Sequence, residues 1–96
     1  MSDDFSSVHN HHETAVFDAV RAAAPRFPVL AGRGDLLADV ACVALNRLPP
    51  RYIRHDADLH FYRSERERLA HEQALRDAVQ RAFEFVQARE LMGARN

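Results

Sequence analysis

The stretch from Ser64 to about Glu90 constrains this chain most, because it reads as one long amphipathic helix within only 96 residues. Ser64-Glu65-Arg66-Glu67 is a capping box: the Ser64 hydroxyl accepts from the Glu67 amide, and the Glu67 side chain reaches back. Behind it Leu75, Val79, Ala82, Phe83 and Val86 recur at i, i+4, i+7, i+8 and i+11, one face of a helix. The other side is charged. Glu72–Arg76 and Asp77–Arg81 each set an acid four residues before an arginine, worth about 0.3–0.5 kcal/mol a pair. The helix ends near Gly93. A single domain of this length buries only roughly 60–65% of its unfolded surface, so its core is thin. Self-association is one way for such a domain to gain burial.

Other helices supply the packing partners. From about His11, Ala15, Val16, Val20 and Ala23 mark a first helix, which Pro25 and Pro28 stop by removing amides and crowding the preceding turn. Pro25 to Gly34 reads as a loop, with Phe27, Val29 and Leu30 tucked onto the core. A second helix spans Asp35 to about Arg47, with Asp35 as its N-cap. Leu37, Val40, Ala41, Ala44, Leu45 and Leu48 form a broad apolar arc, so this helix should be central and buried. Asp35, Asp39, Cys42 and Asn46 share its remaining stripe. Pro49-Pro50 end it, since a residue before proline leaves α geometry. From Arg51 to Tyr62 a short strand and a single helical turn both remain open. The expected organisation is a flexible polar tail over residues 1–10 and one all-α domain over 11–93.

Composition removes several function classes. All basic residues are arginine, and acids nearly cancel them at a net charge of −1, so no nucleic-acid polymer partner is expected. Cys42 is the only cysteine, which forbids an intrachain disulfide and suits a reducing compartment. No signal peptide and no apolar run of about 18–20 residues is present, so the expected location is cytoplasmic, with no membrane partner.

No catalytic constellation is visible, and no enzymatic activity or cofactor is expected. Cys42 lies mid-helix with no histidine placed to activate it, as in an inert, buried spacer. Asp56 and Asp58 would share a side if extended, yet no third group marks a reaction centre. His9, His11 and His12 with Glu13 have the donor chemistry for zinc or nickel, but adjacent histidines on a tail lack fixed geometry, so no metal site is assigned. His71, four residues before Leu75, borders the apolar face and reads as a packed histidine.

The elbow Asn46-Arg47-Leu48-Pro49-Pro50-Arg51-Tyr52-Ile53-Arg54-His55 carries the local positive charge. Its prolines hold Arg47 and Arg51 on either side of a stiff bend. Each guanidinium can donate two hydrogen bonds to a phosphate or to the O6/N7 edge of guanine, and Tyr52 offers a stacking face. The competing reading is structural, with Arg47 and Arg51 paired to Asp35, Asp39 or Asp56.

The run Asp39-Val-Ala-Cys-Val-Ala-Leu-Asn-Arg-Leu-Pro-Pro-Arg-Tyr52 resembles the signature of the late-competence ComFB family, D-V-x-x-x-A-L-N-x-L-P-P-x-Y. The likeness extends over residues 10–90 and is strongest at 35–62. It implies an all-α, usually dimeric protein without enzymatic activity. It also implies a receptor for a cyclic dinucleotide, c-di-GMP or c-di-AMP, that influences competence or motility, with an unidentified protein effector downstream. The ligand-binding set it suggests here is Arg47, Arg51, Tyr52, Arg54, Asn46 and Asp39. Asn46 is also a plausible helix C-cap, and Asp39 can either accept from a guanine edge or orient Arg47. Some members carry a zinc-binding cysteine cluster before the signature helix. This chain departs there, with neither cysteine nor histidine from Phe27 to Leu36.

Overall fold

The computed structural model describes residues 3–55 and 64–93. In chain order these form strand β1 (His9–Asn10) and helix α1 (His12–Ala23), then the short helix α2 (Pro28–Ala31). Helix α3 (Gly34–Arg47), strand β2 (Tyr52–Ile53) and helix α4 (Glu65–Gly93) follow. The architecture is all-α with one two-stranded antiparallel ribbon, in which His9 faces Ile53 and Asn10 faces Tyr52. No described helix is long and apolar enough to cross a membrane.

The three long helices share one core because each carries an apolar stripe at helical spacing. Helix α3 packs on α1, α2 and α4, which makes it the central element. It buries Leu36, Val40, Ala41 and Ala44, and Leu48 follows them into the core. The expected arc was displaced slightly: Leu36 takes the deep position, while Leu37 and Leu45 are half-buried at its border. Helix α4 contributes Ala78, Val79, Ala82, Phe83 and Val86, with Leu75 packed at the edge. Phe83 has no exposed surface, and its ring stacks on Phe27 at 4.4 Å between centroids and 8° between planes.

Four local expectations are corrected. The segment after α1 is helical rather than a loop: Ala24–Arg26 forms a 3-10 turn and Pro28–Ala31 a turn of α-helix. Pro25 and Pro28 each sit at the first positions of these turns, where a missing amide costs nothing and the fixed φ favours helix entry. Phe27 and Leu30 are buried as expected, whereas Val29 is exposed because its side of so short a turn faces outward. Asp35 lies inside the first turn of α3, and the cap position belongs to Arg33. The tail is structured as well, since Phe5–Ser7 forms a 3-10 turn and His9–Asn10 is β1.

The entry to α4 follows its capping chemistry, with the Glu67 amide donating to the Ser64 hydroxyl at 3.1 Å. The surface pairs differ from those expected. Arg68 binds both Glu65 and Glu72, and Asp77 accepts from Gln73. The segment from Arg51 to Tyr62 begins with β2, and the rest of it, with Asp56 and Asp58, lies outside the described residues.

Candidate functional site

The elbow leaves α3 in extended backbone at Leu48, with φ −96° and ψ 136°, as the following proline demands. What holds it comes from the other end of the domain. The Pro49 carbonyl accepts from His12 Nε2 at 3.0 Å. The His11 amide donates to the Arg51 carbonyl at 2.6 Å, and the Arg51 amide donates to Asn10 Oδ1 at 3.2 Å. The same Asn10 oxygen accepts from the His12 amide at 3.2 Å, so one side chain joins the elbow to the start of α1. Sequence reasoning missed Asn10. An Asn just before a helix is a common local bonder, but its bond across 41 positions has no signature.

The six residues expected to bind ligand take different surroundings. Arg47, in the last turn of α3, and Arg51, just after the prolines, are exposed. Neither meets a carboxylate among the described residues. Two of the acids expected to fasten them are engaged elsewhere, Asp35 with Arg33 at 3.4 Å and Asp39 with Arg89 of α4 at 3.0 Å, and the third, Asp56, lies outside the described residues. Asp39 therefore does not orient Arg47. The hydrogen bond from Arg33 holds the Asp35 carboxyl below its ordinary value, helped by the Leu36 amide. Tyr52 is 68% exposed on β2. Arg54 donates to the Ser7 hydroxyl at 3.2 Å, which anchors the far side of the elbow. Asn46 turns back along its own helix and donates to the Cys42 carbonyl at 3.1 Å.

Two of these residues, Arg51 and Asn46, line separate hollows. Arg51 lines one of about 330 Å³ together with His11, His12, Pro49, Glu67 and His71. Asn46 lines a larger, mostly apolar groove of about 720 Å³ between α1 and α3, with Phe17, Leu37, Ala41, Cys42 and Leu45. Cys42 is exposed in that groove and not the buried spacer its mid-helix position suggested.

The histidines also differ from expectation. His12 is only 5% exposed, so it is no part of a solvated tail. The reason is register: His12, Val16 and Val20 form one i, i+4, i+8 stripe on α1, and the latter two are core residues. On α4, Glu67, His71, Leu75 and Val79 form the equivalent stripe. Where the two stripes run out of core, His12 and His71 stack at 4.5 Å between ring centroids, with His11 5.4 Å from His12 and 6.1 Å from His71. The cysteine-type zinc site of some family members has no counterpart here. Between Phe27 and Leu36 the only carboxylate is Asp35, and Arg33 holds it.

No curated protein and no solved structure gives a significant match to the chain. Residues 9–90, nearly the whole chain and all of the elements around the elbow, match the family model described as late competence development protein ComFB. The signature run, the helical fold and that match agree, and the chain belongs to the ComFB family.

Proposed function

We propose that this competence-family protein is a non-catalytic signalling protein that binds a cyclic dinucleotide at the proline elbow and influences competence or motility. One observation carries the reading: Arg47 and Arg51 flank a rigid proline bend, both exposed and neither meeting a carboxylate among the described residues. Guanidiniums held ready in this way suit an anion with two phosphates, and the exposed Tyr52 ring beside them suits a purine face. The near-zero net charge favours a small anion over a nucleic-acid polymer. Titration calorimetry with c-di-GMP and c-di-AMP tests the proposal. Saturable one-site heat at micromolar concentration is expected for one of them, and none with either at several hundred micromolar would remove it.

The second reading is a helical module that assembles with a second copy of itself. The α1/α3 groove favours it, because Phe17 and Leu37 border an apolar surface that the described helices leave open. Helix α4 adds little to it: Phe83 is consumed by the core, and Phe85 remains 49% exposed with Arg89 over its ring. Sedimentation equilibrium should return a dimer mass at micromolar concentration, shifted toward monomer by Phe17→Glu. A strict monomer at several hundred micromolar would exclude this reading.

A further inference from the structure

We infer that His11, His12 and His71 form a binding site for a divalent transition-metal cation, with Glu67 at its mouth. One ligand atom from each of the three imidazoles lies within 4.8 Å of the others. A tetrahedral centre with metal–nitrogen bonds of 2.0–2.1 Å needs nitrogens about 3.4 Å apart, so rotations that move each ring by about an ångström complete the set. Glu67 lines the same hollow and sits one turn before His71 on α4, at i and i+4, where two side chains share one face. Three imidazoles and a carboxylate are a donor set for zinc, cobalt or nickel rather than for calcium or magnesium.

The hydrogen bonding of His12 supports the assignment. A carbonyl can only accept, so the 3.0 Å contact with Pro49 requires a proton on His12 Nε2, which in the neutral ring puts the lone pair on Nδ1. Metal-ligating histidines are held in this manner, one ring nitrogen donating to a fixed backbone carbonyl while the other faces the ion. The lining also has a purpose under this assignment. A cation here ties residues 11–12, the Pro49 carbonyl and residues 67–71 together, three segments far apart in the chain. It lies away from Phe27–Leu36 and uses no cysteine, so it is distinct from the cysteine-type site, while Arg51 of the proposed dinucleotide site lines the same hollow.

The test is made on the full chain carrying no histidine tag. After dialysis against zinc(II), metal analysis should find one equivalent per chain, and cobalt(II) should give the intense visible bands of a tetrahedral site. Zinc at a hundredfold excess over its dissociation constant should raise the melting temperature by about 10–20 °C. His71→Gln, whose ring is half-buried, should abolish the bound equivalent and the thermal shift. His9→Ala, outside the cluster, should keep both. Less than a fifth of an equivalent on the folded wild-type protein would overturn the site, as would undiminished binding by folded His71→Gln or equal loss in His9→Ala. Should His71→Gln fail to fold, the wild-type cobalt spectrum decides alone: bands of exposed octahedral cobalt, or none, overturn the assignment.

Discussion

Phe83→Ala should lower the melting temperature by roughly 15–30 °C, the largest loss expected from any single side chain here. Phe83 is fully buried, and removing a buried phenylalanine costs about 3–5 kcal/mol through lost burial and the cavity left behind. Its ring also stacks on Phe27, a pairing worth about 0.5–1.5 kcal/mol beyond area alone. A protein of this length has a total stability of about 5–15 kcal/mol, so the variant should stand near the edge of folding at 37 °C. The site joins α4 to the turn before α2, and little else in so thin a core can close over the gap. Phe85→Ala, two residues on and half-exposed, should change the melting temperature by only a few degrees. Thermal melts followed by far-ultraviolet circular dichroism check both. A drop of less than 5 °C for Phe83→Ala would mean that the α4 stripe is not the main source of stability.

Replacing both Arg47 and Arg51 with alanine should weaken cyclic-dinucleotide binding by about a hundredfold or more with no loss of helix. A hydrogen-bonded contact to a charged group contributes about 1.5–3 kcal/mol, and 1.4 kcal/mol is tenfold in affinity, so each guanidinium accounts for roughly one to two decades. Neither side chain supports the core. Both are exposed, and the elbow is held through the backbone of Arg51 rather than its guanidinium. The double variant should therefore melt within a few degrees of wild type. Affinity retained within threefold would place the ligand elsewhere, with the groove bordered by Asn46 as the next surface to probe.

The helices were readable before the fold because each keeps a single period for several turns. Val79, Ala82, Phe83 and Val86 fell where the spacing put them, and so did Val40, Ala41 and Ala44. The errors came where sequence carries little periodic information. Pro25 and Pro28 signal both the end of one helix and the first turn of another, and only the short connection here selects the second meaning. A ribbon of two-residue strands has no alternation to detect, and its partners lie some 43 positions apart. The elbow itself was legible from its prolines and arginines. Its surroundings were not: Asp39 could be assigned to Arg47 by proximity, yet α4 brings Arg89 to it from 50 positions away. His12 and His71 each stand four residues before a core position, a signal present on both helices whose meaning depends on the two stripes meeting.

Asn10 gives the elbow an unexpected dependence. One side-chain oxygen accepts from the amides of both His12 and Arg51, and β1 closes the same junction. Local opening in proteins proceeds through contiguous cooperative units, and the bonds drawn here put residues 9–12 and 49–53 in one such unit. Loss of β1 would remove both hydrogen bonds that hold the Arg51 backbone, those with the Asn10 side chain and the His11 amide. Any partner that grips the first ten residues, or any cleavage within them, would act as a remote control on the cationic bend.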